Sequence, residues 1–194
     1  VIKSSSVKLY LQNLKLSSKT TAPIIVGSNL EDVKIINIQN SVLSDLEDPL
    51  TTEGECAVIK IKKNSKVYMG KTDTLTLNGK CKNLIKGGNK VSIIFEKSDG
   101  EYILNANKTA IATDNYLEFN GGKFTIVSDF GDAIKVSPDD FDTENLGKIL
   151  INDGTFDIQC YNDAFTATNN ITILKGKFDI KTQNGYDSEE YDEK

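Results

Sequence analysis

Gly131-Asp132-Ala133-Ile134-Lys135 and Asn162-Asp163-Ala164-Phe165-Thr166 carry an acid at the same place in two similar words. Between them runs Ser137-Pro138-Asp139-Asp140-Phe141-Asp142-Thr143-Glu144-Asn145, with four acids between positions 139 and 144. Carboxylates this dense, with the Asn162 amide beside them, are the oxygen donors that calcium takes at about 2.3–2.6 Å. Asp132, Asp163, Asn162, Asp139 and Asp140 are the expected metal ligands, ahead of Asp142. The plainer reading of the acidic stretch is a solvated loop, and no EF-hand spacing is present. Lys135, three residues after Asp132, is placed for an ion pair with that acid or for contact with a bound molecule. Trp is absent, and Tyr161, directly before Asn162, is the best placed of the seven tyrosines to offer a flat ring.

The rest of the composition narrows the chemistry. The chain has no His, which excludes a Ser-His-Asp or Cys-His machine and a zinc site with His ligands. Cys56, Cys81 and Cys160 lack the paired spacing of a cysteine zinc site. A net charge of −5 and a pI near 4.9 argue against nucleic acid as a partner. No run approaches the roughly 18–20 apolar residues that a membrane span needs. With 194 residues, 38% hydrophobic and 26% charged, the chain suits one folded domain. It begins at Val1, as a mature or excised fragment would. Asp187-Ser-Glu-Glu-Tyr-Asp-Glu-Lys is a charge run, so the expected division is a domain over 1–181 and an acidic tail or linker over 182–194.

A repeat must position the acidic words. Leu117-Glu-Phe119-Asn-Gly-Gly122-Lys-Phe124-Thr-Ile126, Ile149-Leu-Ile151-Asn-Asp-Gly154-Thr-Phe156-Asp-Ile158 and Ile171-Thr-Ile173-Leu-Lys-Gly176-Lys-Phe178-Asp-Ile180 align without a gap. Around each glycine, apolar residues fall at −5, −3, +2 and +4, which spells two period-2 strands about a glycine turn. Phe119, Phe124, Phe156 and Phe178 thereby face inward. The glycines lie 32 residues (122 to 154) and then 22 residues (154 to 176) apart, so one copy carries a ten-residue insertion, the acidic loop. Looser strands read upstream at Val7–Leu11, Val33–Ile38, Leu75–Leu77 and Val91–Phe95.

The acidic word follows each strand pair, with weaker forms at Lys108–Ala112 and Lys82–Lys86. Units of about 20–30 residues built from short strands cannot bury their own apolar faces, so they stack as a solenoid. A sandwich of unrelated hairpins would not lock the offsets. The expected fold is all-β: a single-stranded right-handed parallel β-helix, three short strands and three corners per coil. Coils then stack at about 4.8 Å, nearly twice a calcium–oxygen distance, with Asp132 and Asp163 on adjacent rungs. Cys56 and Cys81 fall in neighbouring coils, either as a disulfide or as free buried thiols, while Cys160 stays reduced.

On these words the sequence resembles the carbohydrate-binding domain-containing β-helix family, whose coils carry D-G-I-K and I-x-I-x-G-G-T-F-x-I phrases, and it is similar to pectate-lyase-like polysaccharide lyases. The D-G-I word reads Asp-Ala-Ile or Asp-Ala-Phe here. The resemblance implies a secreted or cell-surface module that binds plant cell-wall polysaccharide of cellulose or pectin type, within a larger multidomain protein. It also implies calcium at the corners, and it makes Tyr161 and Lys135 the expected carbohydrate contacts. Regular ladders of Asn, Thr and Lys would offer partners for a linear glycan's hydroxyls. A calcium-dependent polysaccharide lyase with a Lys base is the alternative, and a structural adhesin or stalk is a second. The shortage of Arg for a substrate carboxylate favours binding over catalysis.

Overall fold

The computed structural model describes residues 1–46, 56–71, 73–138 and 146–183. Eighteen β-strands and no helix occur among them, and every pairing between the strands is parallel. Up to the tenth, each strand pairs with the strand three places along the chain, and beyond it, where two long strands each serve two ladders, most steps fall to two; the strands sort into three ladders. The first runs through β1 (Lys8–Leu11), β4 (Val33–Asn37), β7 (Lys66–Lys71) and β10 (Ser92–Phe95) to the first halves of β13 (Tyr116–Ser128) and β15 (Lys148–Cys160), and ends on β17 (Asn170–Ile173). The second takes β2 (Lys15–Ser18), β5 (Ser41–Asp45), β8 (Leu75–Gly79) and β11 (Glu101–Ala106) to the second halves of β13 and β15, and ends on β18 (Lys177–Thr182). The third holds β3 (Ile24–Val26), β6 (Ala57–Ile61), β9 (Asn83–Gly87), β12 (Ile111–Thr113), β14 (Ile134–Val136) and β16 (Phe165–Ala167). Because β13 and β15 belong to two ladders, the first two merge into one sheet. The result is a solenoid-like parallel β fold.

Period-2 alternation builds these strands. β4 and β5 bury every second residue, and so does most of β13. The inward side chains stack column upon column. Tyr102, Phe124, Phe156 and Phe178 lie ring on ring, with centroids 4.9–5.1 Å apart. Phe95 stacks on Phe119 at 4.9 Å and meets Phe124 and Tyr102 edge-on. Phe119, Phe124 and Phe156 are buried as expected, and Phe178 is partly buried against the core.

The glycine phrase differs from its sequence reading in one respect. β13 and β15 run as 13-residue elements through the glycines instead of breaking into two strands, and the register shifts around Asn120. Gly154 has φ 145°, and a Cβ there would stand 2.8 Å from the Phe156 ring. The glycine lets the strand kink while the phenylalanine two residues on folds back beneath it.

Cys56 and Cys81 form a disulfide (Cα–Cα 5.2 Å) between adjacent rungs of the third ladder, and Cys160 is free and buried.

Candidate functional site

The four weak and strong acidic words fall into one register, because Ile85, Ile111, Ile134 and Phe165 are successive partners in the third ladder. Asp132 and Asp163 therefore sit on adjacent rungs, where the Ala133 N–H donates to the Asp163 carbonyl at 2.9 Å. Their side chains part company. Asp132 is 6% exposed, and its Oδ1 accepts the Asp163 N–H at 3.3 Å while its Oδ2 faces the Lys135 ammonium at 3.5 Å. Asp163 is exposed and accepts the Thr166 hydroxyl at 3.3 Å. Asn162 is exposed, its N–H donating to the Gly131 carbonyl and its own carbonyl facing the Cys160 thiol at 3.3 Å. Burial pushes the Cys160 thiol upward in pKa, and the nearby acids add to the shift.

Calcium fits this corner poorly as it stands. Both oxygens of Asp132 are engaged, one of them by a cation, and no group of three or more Asp, Glu, Cys or His side chains converges among the described residues. Asp139 and Asp140 lie outside the described residues.

Tyr161 is 38% exposed and has a companion that the sequence reading missed. Phe130, 67% exposed, lies one rung away with its centroid 6.4 Å from that of Tyr161, the planes tilted by 46°. The signal was in the sequence: one aromatic directly precedes each strong acidic word, Phe130 before Gly131 and Tyr161 before Asn162. Two exposed rings on neighbouring rungs form an apolar ledge, and the exposed Asn162 follows Tyr161 in the chain. Such a ledge can receive the apolar face of a ring-shaped, many-hydroxyl ligand while polar side chains supply hydrogen bonds.

A second surface lies on the first ladder. A hollow of about 480 Å³ is bordered by Tyr68, Glu96 and Glu118, and shares Lys97 and Asn120 with a neighbouring hollow of about 310 Å³ that reaches Asp153. Two lysines flank the Tyr68 ring, Lys34 at 5.0 Å and Lys66 at 5.4 Å from its centroid. Lys34 reaches past β7 to Glu96, at 3.0 Å, through the space left by Gly70, where a Cβ would meet Glu96 at 2.8 Å. That carboxylate raises the Lys34 pKa. No repeat marks these residues, which are drawn from several successive rungs of the first ladder, so the sequence reading passed over them.

Residues 1–194 match the family of carbohydrate-binding domain-containing proteins, and the chain belongs to that family. Among solved structures, it is similar to the polysaccharide lyase-like protein from C. thermocellum, determined as a gadolinium derivative. The TM-score is 0.63 at 20% sequence identity, with 91% of this chain and 72% of that one covered. At that identity the likeness shows a shared fold. No curated protein matches the chain.

Proposed function

We propose that the protein is a non-catalytic polysaccharide-binding module, a right-handed parallel β-helix with three strands per coil. The pairing of each strand from β1 to β10 with the third one along the chain, and the service of β13 and β15 to two ladders beyond it, support that coil geometry. The observation that carries the binding reading is the exposed Phe130–Tyr161 ledge on adjacent rungs. Membership of the carbohydrate-binding family supplies the ligand class. A linear glycan lying along the solenoid axis would meet a new rung every ~4.8 Å, and so Phe130 and Tyr161 in succession. The proposed ligand is plant cell-wall polysaccharide of cellulose or pectin type. Secretion or surface display within a larger protein belongs to the same proposal, and the Cys56–Cys81 disulfide supports an oxidising compartment.

Lys135 bears on the lyase alternative. A proton-abstracting lysine must be free to reach its substrate, and the Lys135 ammonium is engaged by the Asp132 carboxylate at 3.5 Å. Incubation with cellulose, xylan and polygalacturonate separates the readings. Retention without new unsaturated ends is the expected outcome; an ultraviolet-absorbing product would make the protein a lyase, and neither would leave a stalk.

Calcium enters as a stabilising ion at the Asp132–Asp163 corner. The adjacent rungs support it, and the Lys135 contact opposes it. Binding would require Lys135 to swing outward and Asp139 or Asp140 to complete the shell. In metal-stripped protein, millimolar calcium should then raise the melting temperature, a chelator should reverse the gain, and Asp163→Ala should remove most of it. An unmoved melt would delete calcium from the account and leave the glycan reading intact.

A further inference from the structure

We propose that the Tyr68 hollow holds a second glycan chain, so that the protein bridges two neutral polysaccharide chains on opposite sides of the solenoid. The inference rests on the carbohydrate-binding reading and adds a site to it. Tyr68 comes from β7, Ile94 and Glu96 from β10, and Glu118 and Asn120 from β13. These are interior rungs: β1 and β4 precede them in the first ladder, and β15 and β17 follow.

The hollow has an aromatic wall and an apolar floor on a face where water is the default neighbour. Tyr68, Ile94 and Glu118 are register partners on the outward side of their strands, since Val67, Ile93 and Leu117 beside them are buried in the core. Ile94 floors the hollow. Lys34 approaches the Tyr68 ring from the preceding rung, whereas the hollow opens toward the following ones. The side of the ring toward the hollow is left to a ligand, and a ring beside an apolar floor takes the apolar face of a sugar.

Charge selects the class of glycan. The ammoniums of Lys66 and Lys97 and the carboxylates of Glu96 and Glu118 line the hollow together with the Asn120 amide. That set offers donors and acceptors to hydroxyls and no net charge to draw a polyanion. The adjoining hollow adds Asp99 and Asp153 against Lys123, whose ammonium is already held by Glu101 at 2.8 Å. A polyuronate would meet like charges there, so a neutral chain fits better. From Tyr68 to Asp153 the two hollows cross three steps between rungs of ~4.8 Å each, about 14 Å in all, which is longer than one sugar unit.

Bridging follows from where the two surfaces sit. Phe130 and Tyr161 lie at the corner between the second and third ladders, after β13 and β15 and before β14 and β16. One core cluster takes inward residues from all three ladders, so the core separates that corner from the outer face of the first ladder. A stiff chain lying along the axis reaches one surface or the other. Holding two chains at once raises the avidity for a packed polymer above that of either site alone.

Equilibrium dialysis of the full 194-residue chain against cello-, xylo- and galacturono-oligosaccharides counts the sites. Two sites are expected for a neutral oligosaccharide. Tyr68→Ala should leave one, the Phe130→Ala, Tyr161→Ala double variant should leave the other, and the three substitutions together should leave none. Tyr68→Phe should keep both, since the ring and not the hydroxyl makes the contact. Light scattering from the corresponding polymer should rise with native protein and not with either one-site variant. Two sites that survive Tyr68→Ala overturn the proposal. A single site that is lost with Phe130 and Tyr161 also overturns it and leaves the ledge intact. A single site that is lost with Tyr68 overturns the bridge and the ledge together. Binding of the galacturono-oligosaccharide alone overturns the neutral class, and binding of none overturns both this proposal and the carbohydrate reading.

Discussion

Phe156 shows how one side chain can hold the register of the whole. It is 1% exposed, stacked on Phe124 at 4.9 Å and Phe178 at 5.1 Å, with the Phe119 edge at 5.2 Å. Phe156→Asp would bury a carboxylate with no partner in that column, a cost of several kcal/mol. The melting temperature should fall steeply or the fold should be lost; an unchanged melt would mean that the ring does not face inward. Tyr116 gives a pH signature. Its phenol is pushed up to about 12, first by burial and then by the Glu118 carboxylate. A raised pKa means that the folded state holds this proton more tightly than the unfolded chain, whose phenols titrate near 10.0. Its stabilising contribution is therefore whole below pH 10 and is lost as pH rises toward about 12. Ultraviolet phenolate titration should show a late group in native protein that Tyr116→Phe removes. The inward phenylalanines were legible in the sequence because period-2 spacing shows on its own. Phe130 holds the same place before its acidic word as Tyr161 and went unread, because that place alone does not tell an exposed ring from a buried one.

The turns between strands explain what the repeat concealed. Asn29 and Asn64 both adopt left-handed backbone, at φ 59° and 55°, and Asn64 donates its amide to the Asn29 side chain at 2.9 Å. Asn tolerates that conformation better than most residues, and its amide ties one rung to the next. Asn105 to Asn78 and Asn152 to Asn120 repeat the tie at 2.9 and 2.8 Å. Sequence periodicity found β1, β4, β8 and β10 within two residues of their ends, since each carries its own apolar alternation. It missed β2, whose Lys-Leu-Ser-Ser carries a single apolar residue, and β3, whose Ile-Ile-Val does not alternate, and it could not choose between a disulfide and free thiols. The Cys56–Cys81 bond joins residues 25 apart, and in the chain-entropy account a loop of that length is worth roughly 3 kcal/mol. Replacing both cysteines with Ser should lower the denaturation free energy by about that amount, and reductant should then have no further effect on the variant. Equal stability of native and variant protein would show that the interior of the third ladder needs no crosslink.

At the scale of the whole molecule, stacking rungs creates surfaces that no single coil contains. The aromatic ledge needs Phe130 from one coil and Tyr161 from the next, and the Tyr68 hollow draws on three coils. The family and the solenoid could be read from the repeated words, and the acids of the corner were correctly assigned to adjacent rungs. What those acids do could not be read, because a word fixes the backbone position and not the direction of the side chain: Asp132 turns inward to Lys135 and Asp163 turns to solvent. The proposed function has this corner holding a polysaccharide through its two rings. The most direct measurement is affinity for cellulose, xylan and polygalacturonate, comparing native protein with the Phe130→Ala, Tyr161→Ala double variant. Each ring contributes about 0.5–1.5 kcal/mol of stacking, so the variant should bind about tenfold or more weakly to whichever polymer retains the native protein, with an unchanged melt. Retention of both proteins to the same extent, or of neither by any of the three polymers, would contradict the account.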